Sequence, residues 1–158
     1  MPTPTTPAPL LASSLSAEEL SAVTTLYRAF DDKNPDLLDD VLTPDWQDAP
    51  LVPSQVDGPQ GLKDQFPVFF QAFPDLKIIV HEIIGGAGRV GVRASITGTH
   101  QGEVMGFAPT GKPVDMAIHE FHYIQDGRIT HTWHLEDWFG MFNRIGVWPP
   151  APAANREN

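Results

Sequence analysis

The residues best suited to chemistry crowd into the last third of the chain. His119, His122, Tyr123, His131, His134 and Asp137 stand there among Phe121, Trp133 and Leu135. Period-two alternation sorts the final stretch: Ile129, His131, Trp133, Leu135 and Asp137 share one strand face, and Thr130, Thr132, His134 and Glu136 the other. The first set is mostly apolar, which predicts that it faces inward and carries Asp137 into a cavity beside Trp133 and Leu135. A carboxylate against apolar and aromatic walls is desolvated, so its pKa rises and it becomes a better base. Abstracting a proton next to a carbonyl needs such a base within hydrogen-bond reach. It also needs a donor for the enolate oxygen. On the preceding strand His119, Phe121 and Tyr123 alternate with Ile118, Glu120, His122 and Ile124, and Phe121 argues for the first set inward. His119, His131 and Tyr123 are then the candidate donors.

Each of these residues also has a plainer reading. Asp137 stands just before Trp138, where a last helix begins, and aspartate is a favoured N-cap. His119 fits a hydrogen-bonded core histidine. His122 and His134 are expected on the opposite face, at the surface or at a subunit contact. The histidine pairs 119/122 and 131/134 are three apart, which on a strand points the two rings to opposite faces and prevents chelation. A composite of His119, His131 and Asp137 is the remaining metal arrangement, and the reading takes no metal and no cofactor. No Ser-His-Asp or Gly-x-Ser-x-Gly arrangement is present, which argues against a nucleophilic hydrolase.

The elements that must position these groups follow from periodicity. Ser16 with Glu19 three residues on forms a capping box, and Leu20, Val23, Leu26, Tyr27 and Phe30 continue a first helix. Asn34-Pro35 starts a second short helix, ended by Thr43-Pro44. Residues 45–58 read as loop anchored by Trp46, either a lid or plain packing. A third helix follows Pro59, and Pro67 inside it predicts a kink or a split. Strands are expected at 76–84, 89–98, 113–124 and 128–137, with a shorter one in 101–107. Asp126-Gly127 is the strongest hairpin signal among the turns. A final helix runs from Trp138 to Ile145 and stops at Gly146. Helices first and a mostly antiparallel sheet afterwards give an α+β fold. The expected organisation is a tail over residues 1–15, one domain over 16–148 and a loose tail over 149–158.

Composition narrows the partners. The chain has 158 residues, no cysteine and a formal net charge of −10. Disulfides, thiolate metal sites and a cysteine nucleophile are excluded. An acidic chain without a basic block should bind neither nucleic acid nor anionic membranes. The N-terminus is broken by prolines and lacks a positive leader region, so a cytoplasmic protein is expected.

Several stretches carry a family likeness. They are Ala72-Phe73-Pro74-Asp75-Leu76, then Gly98-Thr99-His100 with Pro109-Thr110-Gly111-Lys112, then Asp126-Gly127-Arg128-Ile129 leading to Trp133 and Asp137, with Gly140 and Ile145-Gly146 beyond. In this order they resemble the SnoaL-like polyketide cyclases, or ester cyclases, of the NTF2-like superfamily, over roughly residues 16 to 147. The resemblance implies a conical, strongly bent sheet packed on helices, assembled as a homodimer or higher oligomer. It implies ring closure by intramolecular aldol condensation without metal or cofactor. Asp137 matches the family's acid/base aspartate. His119 is the candidate for its assisting histidine, although a gapless count puts Tyr123 there. One departure stands out: where many relatives carry a histidine in the loop after the second helix, this chain has Asp48.

The functional expectation is therefore acid/base chemistry on a small apolar carbonyl compound. Asp137 and His119 would be catalytic, and Trp133, His131, Tyr123, Phe121, Leu135, Trp46, Tyr27 and Phe107 would line the site. The alternatives are an NTF2-like module that binds a small ligand without turnover, and an oligomeric scaffold with a filled cone.

Overall fold

The computed structural model describes residues 14–149. The first helix, α1 (Ala17–Asp31), begins as its sequence requires: the Ser16 hydroxyl accepts from Glu19 N–H (3.1 Å) and the Glu19 carboxylate accepts from Ser16 N–H (2.8 Å). Glu19 uses its other oxygen to accept from Gly88 N–H (2.6 Å), which ties the helix start to a strand turn. Helix α1 buries Ala22, Val23, Leu26, Tyr27 and Ala29. A 3-10 turn (Pro35–Leu37) capped by Asn34 leads into the short α2 (Leu38–Val41). The chain then enters β1 (Leu42–Ala49), so the first part of the expected 45–58 loop is a strand. Thr43-Pro44 ends the helix as expected, but Pro44 sits where β1 and its partner are out of register and no ladder bond is needed.

Helix α3 (Pro59–Ala72) runs on through Pro67, so the helix is not split there. Its packing holds it: Phe66 is buried and stacked on Phe30, with ring centroids 4.6 Å apart. Strands β2 (Lys77–Gly86), β3 (Arg89–Thr99), β4 (Pro113–Gln125) and β5 (Arg128–Glu136) follow, then α4 (Trp138–Ile145). Gly146 closes α4 in the left-handed conformation (φ 80°). Residues 101–107 hold only an isolated bridge, Val104 to Phe107, rather than a strand. The sheet order is β1-β5-β4-β3-β2, antiparallel except for β1, which runs parallel to β5. Four helices on this five-stranded mixed sheet form the α+β cone. Among the described residues no helix is long and apolar enough to cross a membrane. The expected tails fall on residues 1–13 and 150–158, outside the described residues; Ser14, within the expected N-terminal tail, donates its N–H to Gly85 O (2.8 Å).

The strand faces correct the sequence reading. On β4, Val114, Met116, Ile118, His122 and Ile124 are buried, so the even-numbered residues face the helices. His119, Phe121 and Tyr123 face away. On β5 the pairing slips between Tyr123 and Ile124: Tyr123 opposes His131 while Ile124 opposes Ile129, which leaves Thr130 as an extra, unpaired residue. This bulge resets the alternation. Ile129 is buried upstream of it, and Thr132, His134 and Glu136 face the helices downstream. His131, Trp133 and Leu135 consequently lie on the outer face, where Phe121 is 62% and Leu135 73% exposed. A single extra residue thus inverts an otherwise correct period-two assignment.

Candidate functional site

Between the sheet and the helices lies a cavity of about 890 Å³, open solvent at its mouth included. Helix α1 supplies Leu26, Tyr27 and Phe30; α3 and its exit supply Leu62, Phe69 and Phe73. Strand β1 brings Trp46 and Asp48, and the loop after it Val52 and Gln55. Strands β4 and β5 add Ile118, Glu120, Thr132, His134 and Glu136, and Trp138 stands at the start of α4. Most of the wall is apolar, with polar groups confined to two clusters.

The first cluster is centred on His134. Its Nδ1 is 2.6 Å from Glu136 Oε1. Its Nε2 is 3.3 Å from Asp48 Oδ1, but the alignment is poor, and this buried nitrogen makes no hydrogen bond among the described residues. Asp48 is held from the other side, its Oδ2 accepting from Gln55 Nε2 (2.9 Å). Burial works against a charged imidazole, but the two carboxylates outweigh it and push His134 up to about 10. At neutral pH His134 is therefore an imidazolium, with one N–H committed to Glu136 and the other without an aligned acceptor.

The second cluster runs deeper. The Tyr27 hydroxyl donates to Glu120 Oε2 and lies 3.1 Å from His122 Nε2. His122, fully buried, has Nδ1 3.0 Å from Thr132 Oγ1, which also accepts from the Trp46 indole N–H (3.0 Å). Burial pushes the Glu120 carboxyl upward, but hydrogen bonding and attraction from His122, the Tyr27 hydroxyl and the charge of His134 hold it below the usual carboxylate range. Burial, and then the Glu120 charge, push the Tyr27 phenol well above its usual value.

Two of the sequence-predicted site residues, Tyr27 and Trp46, line this cavity. The rest do not. Asp137 caps α4, its Oδ1 accepting from Gly140 N–H (2.9 Å), and its side chain is exposed. His119, Phe121, Tyr123, His131, Trp133 and Leu135 are on the outer face for the reasons given above. There His131 stacks on Trp133 (5.5 Å, 9° between planes) and Tyr123 meets Trp133 edge-on. Phe107 packs against Phe142 (4.9 Å) rather than into the cavity. The histidines expected on the far face, His122 and His134, are the ones that turn inward. The signal that finds His122 is the whole of β4: Val114, Met116, Ile118 and Ile124 all vote for the even-numbered face, and the shorter window around Phe121 hides that vote.

The motif stretches that carry the family likeness meet away from the polar clusters, as structural joints. The Asp75 carboxylate accepts from Thr99 N–H and from the Thr99 hydroxyl (both 2.7 Å). Gln101 and Gly102 donate to Ala72 O, and the His100 ring accepts from Thr110 N–H (3.3 Å).

Comparisons place this geometry in a known class. A family model described as SnoaL-like polyketide cyclase matches residues 21–145. The chain belongs to the SnoaL-like polyketide cyclase family, with the NTF2-like cone as its fold. It is similar to a candidate polyketide cyclase from Bacillus cereus ATCC 10987, at 26% identity over 85% of this chain and 87% of that one, with a TM-score of 0.73. IdmH, a candidate polyketide cyclase from Streptomyces antibioticus, is 25% identical over 84% of this chain and all (100%) of that one, also with a TM-score of 0.73. AclR from Streptomyces galilaeus, a candidate hydroxylase, is 26% identical over 87% of this chain and 86% of that one, with a TM-score of 0.71. No curated protein matches the chain.

Proposed function

We propose that the chain is an acid/base enzyme of the cyclase type, acting without a cofactor on a small apolar carbonyl compound held in the cone. The observation that carries this reading is the pairing of His134 Nε2 with Asp48 Oδ1. A charged donor without an aligned acceptor and a carboxylate oxygen stand 3.3 Å apart, each fixed from behind, by Glu136 and by Gln55. A substrate carbonyl oxygen accepts the Nε2–H, and Asp48 Oδ1 removes a proton from the adjacent carbon. The imidazolium stabilises the enolate oxygen that forms. The enolate carbon then attacks a second carbonyl of the same molecule. A carbon–carbon bond closes the ring, and the new alkoxide takes the proton from Asp48. Isomerisation needs the same two groups without the second carbonyl.

Proton abstraction can be tested without the natural substrate. Exchange of the α-hydrogens of 1-tetralone in D2O, followed by proton NMR, should be accelerated by the protein. Asp48→Asn should slow it by about 100-fold or more while tetralone still binds. Exchange at the wild-type rate in Asp48→Asn would remove Asp48 from the role of base. Saturable binding with no exchange above the buffer rate would return the chain to a ligand-binding module.

The partner in this reading is a second copy of the chain. Ile84, Gly91, Phe121, Trp133 and Ala49 are successive register partners, so one apolar row crosses all five strands on the outer face. Ile84, Phe121 and Trp133 are exposed. The row is flanked by Arg89, His119 and His131 and by Arg93, which pairs with Glu82 (3.5 Å), so the acidic excess of the chain is not concentrated beside it.

A further inference from the structure

The charges around the cavity do not balance. Three carboxylates line it, from Asp48, Glu120 and Glu136, and among the described residues the only arginine, lysine or histidine in its lining is His134. The Asp48 and Glu120 side chains are only 6% and 13% exposed, so bulk water does little to screen them. His134 lies between Asp48 and Glu136 and offsets one charge. His122 stands behind Glu120, 3.7 Å away, and even its protonation would leave the wall negative. Glu120 remains ionised, since its carboxyl is held below the usual range despite burial. Its Oε2 takes the Tyr27 hydroxyl, whereas Oε1 accepts no hydrogen bond among the described residues. The same cavity is lined by the aromatic rings of Tyr27, Phe30, Trp46 and Phe69, side chains of the kind that attract cations.

We propose that the preferred occupant of this pocket is an aromatic carbonyl compound that also bears a protonated amine, with Glu120 as the residue that selects the charge. The proposal rests on the cavity being the binding site, as in the reading above, and specifies the class of compound it takes. A unit charge a few Å from a buried, incompletely compensated carboxylate changes affinity by about tenfold or more, in the direction of its sign. An ammonium group gains that attraction and the ring contacts. A free carboxylic acid meets the same field as repulsion, so acids should be excluded even where their carbon skeleton fits.

Three near-isosteric probes test this by isothermal titration calorimetry near neutral pH: 2-(aminomethyl)naphthalene, 2-naphthylmethanol and 2-naphthoate. The amine is expected to bind about tenfold or more tighter than the alcohol, and the acid about tenfold or more weaker. Glu120→Gln should bring the amine to within about threefold of the alcohol. If that variant does not fold, the wild-type ranking alone decides. An acid or alcohol that binds as tightly as the amine overturns the proposal, as does failure of all three to bind. Exchange on 1-tetralone reports on the acid/base reading separately, so the two can fail independently.

Discussion

The state of His134 can be read from stability before any substrate is known. Its pKa is pushed up to about 10 by Asp48 and Glu136, against about 6.5 for a free histidine. A histidine whose folded value is raised adds stability that is complete below the unfolded value and fades as pH rises through the folded one. The window is therefore about pH 6.5 to 10. The full shift corresponds to a ceiling of about 5 kcal/mol. Solvent at the cavity mouth screens part of it, and about 2 kcal/mol is the working expectation. For a domain of this size that is a fall of about 6 °C in Tm across the window. His134→Gln keeps a polar side chain but cannot titrate. Urea unfolding at steps between pH 6.5 and 10 should show wild-type stability falling toward that of the variant, with nearly all the pH dependence lost in His134→Gln. The window stops at pH 10 because Tyr27 ionises more readily in the unfolded chain and adds its own loss above that value. Parallel curves for the two proteins would mean that His134 is not an imidazolium at neutral pH, and the donor role assigned to it would fall.

Two further outcomes separate cap and surface from site. Asp137→Ala should cost about 1 kcal/mol in urea unfolding by removing the α4 N-cap, while tetralone exchange proceeds at the wild-type rate; loss of exchange in a folded variant would restore Asp137 to the chemistry. On the proposed self-contact, the wild-type chain should be a dimer by light scattering and Phe121→Asp, in the middle of the outer row, a monomer with tetralone affinity unchanged; a monomeric wild type would refute the self-contact, and a dimer that survives the change would place it elsewhere.

Much of the fold is legible because it is specified locally. Ser16 and Glu19 announce the first helix, Asp126-Gly127 the last hairpin and Gly146 the final stop, and each works through neighbours within a few residues. Strand β1 is not announced in this way. Its alternation is broken by Pro44 and Asp45, and its pairing is with a strand some eighty residues later in sequence. The orientation of the candidate site was hidden for a related reason. Ile129 is correctly an inward residue, and counting by twos from it leads to His131, Trp133, Leu135 and Asp137. Only the pairing of Ile124 with Ile129 and of Tyr123 with His131 reveals that Thr130 does not count. Asp48 is conspicuous in the sequence as a departure from the family pattern, yet plain alternation puts its partner His134 on the opposite side.

The Thr130 bulge also governs how this protein can change over time. Downstream of it, β5 interleaves two sets of positions with different obligations: 132, 134 and 136 answer to whatever enters the cone, and 131, 133 and 135 answer to whatever touches the outside. Substitutions can explore either set while sparing the other, so the wall of the cone and the outer face can change independently along one stretch of chain. Loss of Thr130 itself would leave both sets in place, because Ile129 and His131 keep their partners Ile124 and Tyr123. Closing the bulge with every residue retained would exchange the sets at once, turning His134 and Glu136 out to solvent and Trp133 and Leu135 into the cone. The register of this strand, rather than its length, is what keeps the two sets apart.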